Sequence, residues 1–245
     1  MSESQPELLF LRVPPRGLVK PVGGIRRRRP IRLSAVFDPN GCHGRIGERR
    51  ITCFWIGMGR RIRVPGRKLL ERIRSGAVAE LVDIGCAGAL DPGLQRGDLV
   101  LSGNDIAFDS AVPVAVRRRP GLEVILQEVA AGRGVNLHRA PILTHERFVS
   151  SRADRIELFE RTGCAAVQME HAWFLQLLQP LLTPDRFYKI RVAHLVLITD
   201  AVPRSDGRRT TARSNWDALT GYAFPGGRGG ITSLRREVLT LWSTF

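Results

Sequence analysis

The chain has 245 residues, with 38 Lys+Arg against 23 Asp+Glu and a formal net charge of +15, and its 43% hydrophobic content is enough for the core of one large domain. No apolar run approaches the roughly 18 to 20 residues of a membrane helix, and Glu3 and Glu7 precede any apolar stretch where a secretory signal would start basic. The chain therefore reads as soluble and cytoplasmic, and its four cysteines, which form no C-x-x-C pair, read as reduced thiols and exclude a zinc ribbon or disulfide framework.

In chain order, residues 8–13 suit a short strand, after which Pro14, Pro15, Gly17, Pro21, Gly23 and Gly24 interrupt the chain and Arg26 to Arg29 form a run of like charge. Residues 31–37 suit a second strand, Asp38-Pro-Asn-Gly41 a turn, and the glycine-rich stretch to Gly47 a loop. From residue 51 short apolar strands alternate with helical patterns. A strand over 51–56 ends at Gly57-Met-Gly59, and a helix over 66–75 carries Leu69, Leu70 and Ile73 and closes at Gly76. A strand over 79–84 runs into Gly85-Cys-Ala-Gly88, and another covers 99–101. A helix is predicted over 122–132, a strand over 141–143 and a helix over 151–161 capped by Ser151. A short strand over 165–169 leads into an apolar helix over 172–182, and a continuous apolar strand over 194–199 ends at Asp200.

This alternation predicts an α/β fold, a single domain with a twisted, mostly parallel central sheet flanked by helices. Residues 1–50 read as a basic N-terminal segment joined to a core over 51–205. Residues 206–245 read as an Arg- and Gly-rich loop followed by a C-terminal helix of the same domain, over 232–242.

Ligands of open α/β sheets bind beyond the carboxyl ends of strands, which directs attention to Gly57-Met-Gly59, Gly85-Cys-Ala-Gly88, Met169-Glu170 and Asp200. Glycines there expose backbone amides and permit close approach, while a carboxylate ending an apolar strand is partly desolvated. The histidines His43, His138, His145, His171 and His194 show no i, i+4 pairing, so their spacing assigns no metal ligand.

Taken in order, these pieces resemble the purine and uridine phosphorylase superfamily, which includes the methylthioadenosine/S-adenosylhomocysteine nucleosidases. Ile56-Gly-Met-Gly59 resembles its Gly-rich turn, and Leu81-Val-Asp-Ile-Gly-Cys-Ala-Gly-Ala-Leu90 with Leu94-Gln-Arg-Gly-Asp-Leu-Val100 resembles its G-x-A-G-G-L and G-D-(I/V)-V signature. Thr144-His-Glu-Arg-Phe-Val149 resembles G-D-x-F-(I/V), Val167-Gln-Met-Glu170 resembles V-D-M-E, and Ile198-Thr-Asp200 resembles I-S-D.

The resemblance implies cleavage of the N-glycosidic bond of a purine nucleoside, by phosphorolysis or hydrolysis, with a lipid-linked adenosyl compound as a special case. It implies no cofactor, phosphate being a co-substrate in the phosphorolytic case, and a homo-oligomeric assembly. It places the acid that serves the departing base on Asp200 and the acceptor of the ribose hydroxyls on Glu170, with Met169 under the sugar. Phe148 would stack on the base, Val149 would offer its backbone to the base edge, and Cys86, Ala87 and Gly88 would line the opposite side.

Several positions depart from the pattern. The region before residue 50 lacks the glutamate with which the nucleosidases activate water. Asp83 and Cys86 stand where hexameric phosphorylases place the Arg and Ser that grip phosphate, Val196 stands where an Arg precedes the catalytic aspartate, and Gln168 replaces the aspartate of V-D-M-E. A catalytically diverged member that binds polyanions is the alternative reading. The arginines lie scattered without aromatic interleaving, which speaks against nucleic acid, whereas peripheral contact with an anionic membrane surface fits the charge.

Overall fold

The computed structural model describes residues 7–12, 32–38, 41–46, 49–56, 62–107, 113–114, 117–118, 120–202 and Val238. Gly57-Met-Gly59 and nearly all of the predicted C-terminal helix lie outside the described residues.

Among the described residues, eleven strands share one sheet. The first four are β1 (Glu7–Arg12), β2 (Arg32–Asp38), β3 (Gly41–Ile46) and β4 (Arg49–Trp55). The stretch expected to be a loop before Gly47 is thus strand β3, which forms antiparallel ladders with both β2 and β4. Its glycines hid the pattern because they carry no side chain to alternate. Next come α1 (Arg67–Ser75), β5 (Val78–Ala89), β6 (Leu99–Ala107), β7 (Pro113–Val114), β8 (Arg117–Arg118), α2 (Pro120–Arg133) and β9 (Leu137–Thr144). The chain continues through α3 (Arg152–Thr162), β10 (Ala166–Gln168), α4 (His171–Leu178), a 3-10 turn (Gln179–Leu181), α5 (Pro184–Lys189) and β11 (Arg191–Asp200). Helix α5, capped by the Thr183 hydroxyl with Pro184 as its first residue, is an element that the apolar pattern did not reveal.

The sheet is mixed rather than mostly parallel. Its order runs β2-β3-β4-β1-β5-β10-β9-β6-β11-β8, and β5 also pairs with β11, so β5, β10, β9, β6 and β11 close into a five-stranded ring. In that ring β5 is parallel to β11 but antiparallel to β10, and β6 is parallel to β9 but antiparallel to β11. Alanine and β-branched side chains of the ring pack together: Ala87 and Ala89 of β5, Ala166 of β10, Val100 of β6, Ile142 of β9, and Val196 and Ile198 of β11 form one buried cluster.

The opposite face of β5 and β11, with Val82, Ile84, Leu195 and Leu197, packs against Ile125, Leu126 and Val129 of α2. A third cluster seats α1 and α4 through Leu69, Ile73, Phe174, Leu175 and Leu178 against Leu81 and Val192. No described helix is long and apolar enough to cross a membrane.

Candidate functional site

The second glycine motif lies inside strand β5, whereas the sequence predicts a strand that ends at residue 84, before it. Residues along a strand face alternate sides, and the three motif residues divide accordingly. Ala87 points into the ring and Cys86 packs against the cluster under α2. Gly88 is the one that meets Asp200.

That meeting depends on an irregularity. Along β5 and β11 the register pairs Ile198 with Ala87 and then Asp200 with Gly88, so Thr199 is an extra residue on β11. Bulges of this kind re-aim a side chain at the end of a ladder. A Cβ at position 88 would lie 3.1 Å from Asp200 Oδ2 and 3.3 Å from Arg155 Nη2, so only glycine leaves these groups their place. The Thr199 hydroxyl lies 3.1 Å from Asp200 Oδ1 and 3.3 Å from the Ala87 carbonyl, and can donate to one at a time.

Asp200 is buried, and its charge partner is Arg155 of α3, itself only 2% exposed. Arg155 Nη2 donates to Asp200 Oδ2. Its Nη1 donates toward the carbonyls of Asp200 at 3.2 Å, Ala201 at 3.1 Å and Ala89 at 3.3 Å, and its Nε donates to the Val149 carbonyl at 3.0 Å. One guanidinium therefore joins the ends of β5 and β11 to the loop before α3, using its planar fork of donors. The sequence missed it. Arg155 sits on the same buried face of α3 as Leu158, and the helical pattern gave no reason to separate it from the solvated charges beside it.

The loop after β9 carries the other residues expected to face the base. Phe148 is 56% exposed, whereas Val149 is buried with Leu90, Leu143 and Val167 and gives its carbonyl to Arg155. Met169 and Glu170 follow β10, and Glu170 Oε2 accepts from the Met169 amide at 3.1 Å. Gln168 explains how the altered V-D-M-E motif still begins a helix. Its Oε1 accepts from the amides of Glu170 at 2.5 Å and His171 at 3.1 Å, while its Nε2 donates to Thr144 Oγ1 at 2.5 Å. An amide supplies both a donor and an acceptor, so it caps α4 and holds β9 at once.

Asp83 belongs to a second polar group at the level of the α4 N-terminus. His171 and His194 stack with ring centroids 4.0 Å apart between Asp83 on β5 and Asp105 on β6, and all four are buried. His171 Nδ1 lies 3.0 Å from Asp83 Oδ2, and His194 Nδ1 lies 2.5 Å from Asp105 Oδ1, which also accepts from Ser102 Oγ at 3.0 Å. Burial, reinforced by the neighbouring His194, pushes the His171 pKa below the usual imidazole value against the opposing pull of Asp105 and Asp83.

A profile of the phosphorylase superfamily matches residues 39–219, nearly three quarters of the chain. The chain belongs to the phosphorylase superfamily. No curated protein matches it in sequence. Among solved structures, this superfamily member is similar to a mutant futalosine hydrolase of Helicobacter pylori, with a TM-score of 0.67 and 14% identity over 98% of this chain and 100% of that one. It is also similar to the 5′-methylthioadenosine/S-adenosyl homocysteine nucleosidase of Campylobacter jejuni, with a TM-score of 0.64 and 15% identity over 87% and 90%. A putative methylthioadenosine nucleosidase from Weissella paramesenteroides gives 0.61 and 16% over 88% and 90%. At these identities the likeness is one of fold, and it extends along nearly the whole of those chains.

Proposed function

We propose that this superfamily member hydrolyses the N-glycosidic bond of a purine nucleoside, with Asp200 serving the base and Glu170 the ribose. The observation that carries the reading is the buried Asp200 carboxyl, set opposite Gly88 by a bulge at the carboxyl end of β11 and held there by Arg155.

Cleavage places positive charge on the sugar and negative charge on the departing base. Asp200 hydrogen-bonds the base nitrogen that takes up a proton, and Arg155 acts as a positioning residue that fixes the carboxyl in one orientation. Glu170 receives the ribose hydroxyls, Met169 packs under the sugar, and Phe148 stacks on the base. The C1′–N bond breaks as a water oxygen bonds to C1′; the water gives up one proton and the base gains one, so free base and free sugar leave. Hydrolysis is favoured over phosphorolysis because Asp83, at the position of the phosphorylases' arginine, would repel phosphate and is engaged with His171.

Release of free base from a panel of purine nucleosides with varied 5′ substituents, with and without phosphate, tests the proposal. We expect release that does not depend on phosphate. Glu170→Gln should raise KM and lower kcat/KM by about 10- to 100-fold, the loss of a charge-assisted pair of hydrogen bonds. Release only in the presence of phosphate would replace hydrolysis by phosphorolysis, and no release under either condition would overturn the reading.

A further inference from the structure

We propose that His171 is a positioning residue for Glu170, holding the start of α4 through Asp83, and that one proton added at its Nε2 atom draws α4 toward Asp105 and weakens nucleoside binding. The proposal rests on the hydrolytic reading above, in which Glu170 receives the ribose hydroxyls.

His171 is the first residue of α4, directly after Glu170, and two groups fix it. Its amide donates to Gln168 Oε1 at 3.1 Å, and its ring Nδ1 lies 3.0 Å from Asp83 Oδ2 on β5. The ring is fully buried, so water does not compete for that contact. Any movement of the ring is passed to the adjoining peptide of Glu170.

The proton count follows from four groups on four elements. The two short contacts, His171 Nδ1 to Asp83 and His194 Nδ1 to Asp105 Oδ1 at 2.5 Å, each need one N–H, and two neutral imidazoles supply both from Nδ1. Each Nε2 then carries a lone pair. That of His171 is buried with no hydrogen-bond partner among the described residues, 3.5 Å from Asp105 Oδ2. That of His194 lies 3.8 Å from Asp83 Oδ2, so the shorter gap, at His171, takes the first proton. A second proton would place two cations face to face at 4.0 Å, and the pair accepts one.

Burial and the neighbouring His194 hold the His171 pKa below the ordinary imidazole value of about 6.5, so the ring is neutral at pH 7 and gains its proton on acidification. The other groups around the start of α4 leave this count unchanged. Thr144 of β9 accepts from the Ala172 amide through a hydroxyl that does not titrate, and Glu170 turns Oε2 to the Met169 amide. Burial keeps Cys164, which senses Asp105, in its thiol form.

Once protonated, Nε2 donates to Asp105 Oδ2. A charge-assisted N–H···O bond is about 2.7 to 2.9 Å long, so the 3.5 Å gap closes by roughly 0.6 Å or more. Asp105 is held on its other oxygen by His194 and by Ser102 Oγ at 3.0 Å, which leaves His171 to move and to carry Glu170 with it. Misplacing a positioning group by about 1 Å costs about 100-fold, so a shift of this size corresponds to about 10-fold in ribose binding.

The test follows base release by the full chain against pH, beside NMR of the same protein labelled with 15N-histidine. Between about pH 8 and about pH 5, on either side of the ordinary imidazole value, we expect the wild-type KM to rise about 10-fold while kcat changes less. His171→Asn returns an N–H toward Asp83 but cannot titrate. It should come within about threefold of the wild-type KM at neutral pH and lose the acid rise, whereas His171→Leu should raise KM about 10-fold throughout. In the NMR spectrum, the ring signals lost in His171→Asn should show a neutral Nδ1–H form at pH 7 and take up one proton on acidification, with the His194 ring remaining neutral. A wild-type KM that stays flat while His171 titrates would overturn the proposal. So would an acid rise that persists in His171→Asn, or two rings that titrate together. No base release at any pH would remove the hydrolytic reading and the positioning role with it, while the NMR titration would still decide the proton site. The wild-type and His171→Asn measurements suffice if His171→Leu does not fold by circular dichroism.

Discussion

Arg155 bears more of the site's geometry than any other side chain, because Asp200 is buried with it and has no comparable charge partner among the contacts described above. Removing one member of a buried ion pair leaves the other charge uncompensated, at a cost of about 3 to 5 kcal/mol. Arg155→Met is therefore expected to lower stability by that order in denaturant titration. The double variant with Asp200→Asn should recover part of the loss, since the stranded charge is gone; additive losses would show that the pair is not the source of the effect. The sequence marked Asp200, Glu170 and Gly88 because each ends or interrupts an apolar run in a motif. It could not mark Arg155, whose partners are 45 or more residues away in β11 and β5, with only Val149 close by. The histidine pair was hidden for the same reason: His171, His194, Asp83 and Asp105 come from four elements, and no local spacing joins them.

At the level of elements, helix ends were the most legible features. Ser151 was assigned as the cap of α3, and its hydroxyl accepts from the Asp154 amide at 3.0 Å. Gly76 was assigned as the end of α1, and it adopts φ of 92°, a left-handed conformation that an L side chain resists. Gly76→Ala should destabilise the chain by about 1 to 2 kcal/mol in thermal or denaturant melts, with the new Cβ placed 3.4 Å from Arg186 Nη1. A change within experimental error would show that this turn relaxes freely. Strand lengths were less legible. Strand β5 continues through Gly85-Cys-Ala-Gly88 because its ladder with β11 supplies the hydrogen bonds that glycine and alanine propensities alone do not favour. The Thr199 bulge was invisible, since the apolar run reads smoothly through it.

Across the whole molecule, alternation of strands and helices made an α/β fold legible, but ring closure was not. Closure rests on pairings such as β5 with β11, between residues more than a hundred positions apart, and on mixed strand directions that hydrophobic runs do not encode. Part of the N-terminal segment belongs to the sheet: β1 lies between β4 and β5, parallel to both, with Leu8 opposite Ile51 on one side and Glu80 on the other. A chain beginning at residue 48 would expose the edge of β5 from Val78 to Asp83 and should aggregate or lose its cooperative melt. Full solubility with an unchanged melting temperature would contradict that placement.

Of the basic side chains behind the +15 charge, the one that shapes this site among the described residues is Arg155, whose buried guanidinium holds the Asp200 carboxyl. The most direct test of the central claim is chromatographic measurement of free base released by the wild type and by Asp200→Asn under identical conditions. The account predicts release by the wild type and a loss of at least about 100-fold in kcat for the variant, the scale of a positioned acid–base group. Equal rates for the two proteins would contradict it.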